Sequence, residues 1–335
     1  MPSLKSHFIA FIVGHWHRTA FTSAEGLHEW INWARQRESD LPPLSFSVRF
    51  DVSTREVDGF PVHEVRPKQV RSRLRLLYLH GGAYVFQISR YHWRLIGELA
   101  ERLGVAVTVP VYPLAPEHDF HAVFGMTMQV YRGLLNDMPA SDVAFVGDSA
   151  GGNMAVVMTM LAAEEGLPSP AAHVLISPGL DMSLANPEIF EFAKFDPWLA
   201  IPGGLEAIRL YAPGIERTDW RISPLYGDLS VVPKTLLLTG TRDILHPDCL
   251  VYVTKAREAG VDVELVAEPG MIHVWPLIAM PEALRARDRI VTFLREVDGK
   301  GNDAVPRPAA EFAGSFVAAL RNGSRVLLAS LPWPI

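Results

Sequence analysis

A chain of 335 residues, 49% hydrophobic and 20% charged, has material for a large core and exceeds the usual size of one compact domain, which predicts a large domain with an insertion. A net charge of −6, with 31 Lys and Arg spread without a run, excludes the basic footprint expected of a nucleic-acid-binding protein. Cys249 is the single cysteine, so no intrachain disulfide forms, and no stretch approaches the roughly 20 apolar residues of a membrane span; the expectation is a soluble, cytoplasmic protein, with room left for a homodimer.

The N-terminal stretch carries Lys5 and a short apolar run, Phe8 to Val13, which His15 and His17 follow; it is too short for a signal core and reads as a helix with an apolar face. From about residue 44 to 298, strand-like runs alternate with helical stretches, the signature of a mostly parallel sheet covered on both faces. Segments around 45–52 and 57–65, with Asp58-Gly59 between elements, predict an antiparallel hairpin at the sheet edge. Further strands are predicted at 74–79, 105–111, 143–146, 173–176, 235–239 and 261–266, making eight, and helices at 91–103, 120–135, 150–164, 247–259 and 281–297. Residues 183–222 break the alternation and are crowded with aromatics; with residues 1–43 they are expected to form a helical cap over a catalytic domain of residues 44–182 and 223–300. The tail, 301–335, begins polar and Pro-rich and then places Phe312, Phe316 and Leu320 at helical spacing, predicting an appended amphipathic helix.

The chemistry starts where Val143-Ala144-Phe145-Val146 runs into Gly147-Asp148-Ser149-Ala150-Gly151-Gly152 and then into a helix-forming stretch. This is G-x-S-x-G in a strand-turn-helix context, which pushes Ser149 out over the sheet as a nucleophile. The helix beginning at Ala150 aims free N–H groups at the serine oxygen, where negative charge develops. A Gly-rich nucleotide-binding turn is the bland alternative, but neither a phosphate-loop Lys nor G-x-G-x-x-G is present. His80-Gly81-Gly82-Ala83-Tyr84 follows the third strand, where backbone donors for a tetrahedral oxyanion are needed. Gly82 and Ala83 are the expected donors, with Gly81 assisting and Ala150 completing the set; His80 is expected to fix the loop.

The acid and base should follow in the order Ser, Asp or Glu, His, each from a loop after a strand. Asp243 ends Gly240-Thr241-Arg242-Asp243 and His273 ends Glu268-Pro269-Gly270-Met271-Ile272-His273, which meets that requirement. His246 competes as base, and Asp248 and Asp181 as acids; His246 would leave His273 unexplained, and the two carboxylates read better as bracing groups. Cys249 reads as a small buried residue.

Together the motifs His80-Gly81-Gly82, Tyr112-Pro113-Leu114-Ala115-Pro116-Glu117-His118, Gly147 to Gly152, Ser177-Pro178, Ser223-Pro224-Leu225, Gly240 to Leu245 with Asp248, and His273 closely resemble the hormone-sensitive-lipase-like bacterial esterases of the α/β-hydrolase superfamily. The resemblance runs from about Leu74 to Leu294 and implies the α/β-hydrolase fold with a two-piece cap. Where the family often has a third glycine this chain has Ala83, which keeps its N–H. The tail has no counterpart in the family pattern.

The expectation is a serine carboxylesterase acting on a small-molecule ester through an acyl-enzyme, with no metal or organic cofactor. Phe8, Phe11, Trp16, Trp30 and Trp33, with Phe190, Phe192, Phe195 and Trp198 and with Tyr84 beside the oxyanion loop, are candidates for an apolar acyl wall, part of which is plain core. Amide hydrolysis or deacetylation of a larger molecule is open to the same triad. A non-catalytic small-molecule receptor on this fold is the reading of another class; the family resemblance includes plant hormone receptors lacking the histidine, and His273 argues against it.

Overall fold

The computed structural model describes residues 2–37 and 39–299; the side chain of Trp16 and the predicted C-terminal helix lie outside the described residues. Eight strands, β1 (Phe50–Val57), β2 (Phe60–Pro67), β3 (Arg75–Leu79), β4 (Ala106–Pro110), β5 (Val143–Asp148), β6 (Ala172–Ile176), β7 (Thr235–Arg242) and β8 (Val263–Ile272), form a sheet in the order β1-β2-β4-β3-β5-β6-β7-β8. β1 and β2 pair antiparallel, as do β2 and β4, and all remaining pairs are parallel. Every residue of β4, β5 and β6 is buried, as a parallel sheet covered on both faces requires. The β1–β2 turn is made by Asp58 and Gly59 at φ 51° and 80°, the paired left-handed conformation of a tight hairpin.

The helices are α1 (Leu4–Trp16), α2 (Thr19–Thr22), α3 (Ala24–Arg35), α4 (Phe46–Arg49), α5 (Arg90–Leu103), α6 (Phe120–Asp137), α7 (Ala150–Glu164), α8 (Ile189–Phe192), α9 (Ile201–Tyr211), α10 (His246–Glu258) and α11 (Pro281–Val297). None of the described helices is long and apolar enough to cross a membrane. Local chemistry sets their ends: Ser89 and His92 form a reciprocal cap at the start of α5, Gly104 closes it at φ 69°, and Asp119 accepts from the first turn of α6.

Two sequence expectations shift. The first strand was expected from residue 45, but Phe46–Arg49 is a helical turn and β1 begins at Phe50; Phe46 packs its ring on Phe50 and Trp93, at centroid distances of 4.9 and 5.8 Å, so apolar burial is met without strand alternation. β7 and β8 extend beyond the expected 239 and 266, to Arg242 and Ile272, despite Pro269-Gly270. The pairing survives through a register shift between Gly240 and Arg242, where Gly270 N–H donates to Thr241 Oγ1 at 2.8 Å. The extended strands deliver Asp243 and His273 to neighbouring positions at the end of the sheet.

The stretches 1–43 and 183–222 meet. α2 crosses α9 so closely that a Cβ on Gly203 would strike the backbone of Phe21. His28 Nε2 lies 2.7 Å from Glu206 Oε1, and Arg18 donates to the Ala193 carbonyl at 3.1 Å. The start of α1 is tied to α11 by Ser3, whose N–H and hydroxyl donate to Glu282 at 2.6 and 3.1 Å. Gly203→Ala should therefore destabilise the protein by about 1–3 kcal/mol through overpacking and speed proteolytic cleavage within residues 1–43; an unchanged melting temperature would show that α2 and α9 separate freely.

Candidate active site

Ser149 sits between β5 and α7 with φ 51° and ψ −116°, a conformation L-residues rarely adopt. Glycines make the reversal fit. A Cβ on Gly147 would run into the Gly151 carbonyl, and one on Gly151 into the carbonyls of Leu79 and His80. The Ser149 N–H donates to the Ile176 carbonyl at 2.8 Å, which anchors the turn to β6.

The loop after β3 lies against this elbow: a Cβ on Gly81 would come within 3.1 Å of Ser149 Cβ and would collide with the Asp148 carboxylate. Gly82 stands at φ 125°, and Ala83 and Tyr84 at φ 53° and 61°, so the loop holds two consecutive strained non-glycine residues. Val85 and Phe86 N–H donate back to the Gly82 carbonyl at 2.9 and 2.8 Å, while among the described residues the N–H groups of Gly82, Ala83 and Ala150 meet no acceptor. Tyr84 is pinned from two sides: its hydroxyl donates to Asn153 Oδ1 at 2.7 Å, and its ring stacks on Tyr211 of α9 at 3.7 Å. His80 donates from Nδ1 to the Gly81 carbonyl at 2.7 Å, a loop-fixing role, and its ring stacks on Tyr112.

His273 lies between the other two candidates. Its Nε2 is 2.9 Å from Ser149 Oγ and its Nδ1 is 2.9 Å from Asp243 Oδ2. Asp243 is fully buried and its second oxygen accepts from Leu245 N–H at 2.9 Å. The competing residues are engaged elsewhere: His246 Nδ1 with Thr239 Oγ1 at 3.1 Å, Asp248 with Asn186 at 2.7 Å, and Asp181 with Tyr226 at 2.9 Å. Cys249 is buried, and burial pushes its thiol well above the ordinary range.

With this geometry in place, the likenesses are specific. A sequence model of the α/β-hydrolase fold family matches residues 76–277. An acetyl-hydrolase of Streptomyces hygroscopicus is 32% identical over 240 residues, 71% of this chain and 80% of that protein. A carboxylesterase of Mycobacterium tuberculosis is 31% identical over 294 residues, 82% and 91% of the two chains. A crystal structure of an esterase from the bacterial hormone-sensitive lipase family matches with a TM-score of 0.76 at 30% identity, covering 89% of this chain and all of that one. The chain belongs to the hormone-sensitive-lipase-like esterases of the α/β-hydrolase superfamily.

This esterase also gathers, around these residues, side chains to which the sequence assigned no role, two of them within its motifs. Asp148 is buried beneath the Gly81 loop and accepts from Tyr78 OH at 2.9 Å and from His92 Nε2 at 3.2 Å. Ser89 N–H donates to His92 Nδ1, so the ring proton sits on Nε2 and faces Asp148. Burial pushes the Asp148 carboxyl up, but His92, the Tyr78 hydroxyl and His80 outweigh it and hold it below its ordinary value. Ser177, in the Ser-Pro motif, stands at φ 46° and accepts from Val274 N–H at 3.2 Å, bracing the residue after His273. Asp196, a fully buried carboxylate, lies behind Asp243, and Trp198 turns its ring edge to His273 at 5.9 Å.

Of the predicted acyl-wall aromatics, Tyr84 is buried in the Gly81 loop and Trp198 beside His273, whereas Phe8, Phe11 and Phe195 are 49%, 70% and 63% exposed. Phe11 and Phe195 face an outer cleft of about 400 Å³ whose lining does not include Ser149 or His273. Phe190 is exposed as well, and Trp30 and Trp33 pack edge to face against each other at 5.5 Å. The apolar run in α1 thus presents Phe8 and Phe11 outward, a distribution that a sequence run without helical periodicity did not define.

Burial pulls the His273 imidazole down, but the charge and hydrogen bond of Asp243, then Asp196 and Asp148, leave it raised above its ordinary value. A base must be neutral, so activity should fall as pH drops through this raised value. The acid limb of kcat/KM should therefore lie above about 6.5, the unperturbed imidazole value; a limb below that value would show that burial outweighs the surrounding carboxylates.

Proposed function

We propose that the protein is a serine carboxylesterase for short to medium acyl esters, with Ser149 as nucleophile, His273 as general base and Asp243 as its orienting acid. The observation that carries this reading is the position of one imidazole at 2.9 Å from both the serine oxygen and a buried carboxylate. Ser149 Oγ attacks the ester carbonyl as its proton passes to His273 Nε2. The oxyanion rests on the N–H groups of Gly82, Ala83 and Ala150, with Gly81 supplying the close approach. His273 then protonates the departing alcohol, and water repeats the sequence on the acyl-enzyme while Asp243 stabilises the imidazolium.

Residues 1–43 and 183–222 act in this reading as the cap, with residues 44–182 and 223–300 as the catalytic body. The acyl group then lies near Trp198 and Tyr84, with the exposed Phe8, Phe11 and Phe195 outside that pocket. Deacetylation of a larger molecule is the second reading, favoured by the likeness to the Streptomyces acetyl-hydrolase. A receptor role fits poorly, because the base and nucleophile stand at hydrogen-bond distance.

Ser149→Ala should leave the fold intact and lower turnover by roughly 10⁴-fold, as when one member of a cooperating triad is removed; residual activity near the parent's would refute the assignment. Across esters of increasing acyl length, kcat/KM should rise by up to about 0.8 kcal/mol per buried methylene and then fall once the pocket is full. A profile rising without a maximum would exclude a closed acyl pocket.

A further inference from the structure

Asp196 occupies the point where the 183–222 segment reaches the loop carrying the acid. Its side chain is fully buried and accepts three backbone N–H groups: Ile244 at 2.9 Å on Oδ2, and Trp198 and Leu199 at 2.7 and 2.9 Å on Oδ1. Ile244 directly follows Asp243, so one carboxylate grips the turn of the acid loop while shaping the turn that sets Trp198 against His273. The turn alone does not require a charge, since Asn closes such turns as Asp does and Ser does so more weakly. Burying a second carboxylate behind Asp243 is unfavourable unless hydrogen bonds or opposite charge compensate it. The cation that forms nearby during the reaction is the His273 imidazolium.

We propose that Asp196 is a positioning residue of the catalytic apparatus, locking the acid loop through Ile244 and adding a second negative charge behind His273 that favours the imidazolium. The proposal rests on the assignment of Ser149, His273 and Asp243 made above. His273 is hydrogen-bonded to Asp243 on one side and to the Ser149 hydroxyl on the other, and the charges of Asp196 in the cap segment and Asp148 at the end of β5 act on it from farther off. Outside Asp196, Arg18, Lys194, His15 and Arg242 line the shallow cleft, and Arg242 donates to the Phe195 carbonyl at 3.3 Å. Burial and Asp243 push the Asp196 carboxyl up to about 7, against the N–H groups of Trp198 and Ile244 and the charge of His273, which favour its ionised form. An ionised Asp196 and a protonated His273 therefore stabilise each other.

The experiment compares the parent, S149A, D196N and D196S in steady-state hydrolysis of p-nitrophenyl acetate across pH, with circular dichroism and melting temperature as controls for folding. D196N should lower kcat by roughly tenfold with little change in KM, and should move the acid limb to lower pH by about half a unit, because one of the anions that raise His273 is gone. An NMR titration of the His273 imidazole should move in the same direction. D196S keeps one acceptor for the turn and drops the charge, and should show the same limb shift. A folded D196N or D196S with the parent's kcat and acid limb makes Asp196 a turn brace and overturns the proposal, as does a change confined to melting temperature or KM. Failure of both variants to fold assigns Asp196 to folding and overturns it equally. Full activity in S149A would instead refute the underlying triad assignment, whereas an inactive S149A beside an unaffected D196N refutes this inference alone.

Discussion

A single backbone reversal at Ser149 orders the surrounding structure. Holding an L-residue at φ 51° costs on the order of 1–3 kcal/mol, and the fold sustains it by confining the residue between a buried strand and a buried helix. The reversal demands a glycine on each side, because Cβ atoms at Gly147 and Gly151 would occupy space filled by main-chain carbonyls. It turns the start of α7 toward the serine oxygen, and it brings Asp148 under the neighbouring loop. The positions of the Ala150 N–H and of the Gly81 loop beside Ser149 are thus consequences of where one peptide bends.

Beneath that bend lies a polar layer in which each member fixes the next. Ser89 sets the tautomer of His92, His92 and Tyr78 hold Asp148, and Asp148 fills the space that only a glycine at position 81 leaves open. His80 is kept neutral by burial and by His92, its pKa lowered to about 3, so it serves as a fixed hydrogen-bond donor to its own loop. Polar groups this deep are unfavourable unless hydrogen-bonded, and the bonds among Ser89, His92, Tyr78 and Asp148 lend rigidity to a loop containing two left-handed residues, although His80 Nε2 is left without a partner.

Much of this was legible in the sequence because the chemistry is local. The Gly-x-Ser-x-Gly elbow, the His-Gly-Gly loop and the strand-end Asp243 and His273 each depend on residues within a few positions of one another, and the alternation of runs gave eight strands and their order along the chain. What escaped depends on contacts distant in sequence. Asp196 reads as an ordinary turn former before Pro197; its bond to Ile244, 48 positions away, gives it a different meaning. Phe8, Phe11 and Phe195 look like wall by composition, yet their exposure is set by how α1 and the 183–222 segment pack on the rest of the chain. The start of β1 was displaced for a related reason, since Phe46 satisfies its burial in a helical turn against Trp93, itself brought from α5.

The carboxylates gathered around His273 also bear on how a reaction cycle ends. An ester enters uncharged, but its acid product leaves the serine as an anion at neutral pH. Asp243, Asp196 and Asp148 are all buried and each favours the charged form of His273. Like charges in a buried site repel more strongly than in water. The same surroundings that favour a transient imidazolium disfavour a second anion beside it, so the charge that assists the chemistry also sets an uncharged ester apart from its carboxylate product.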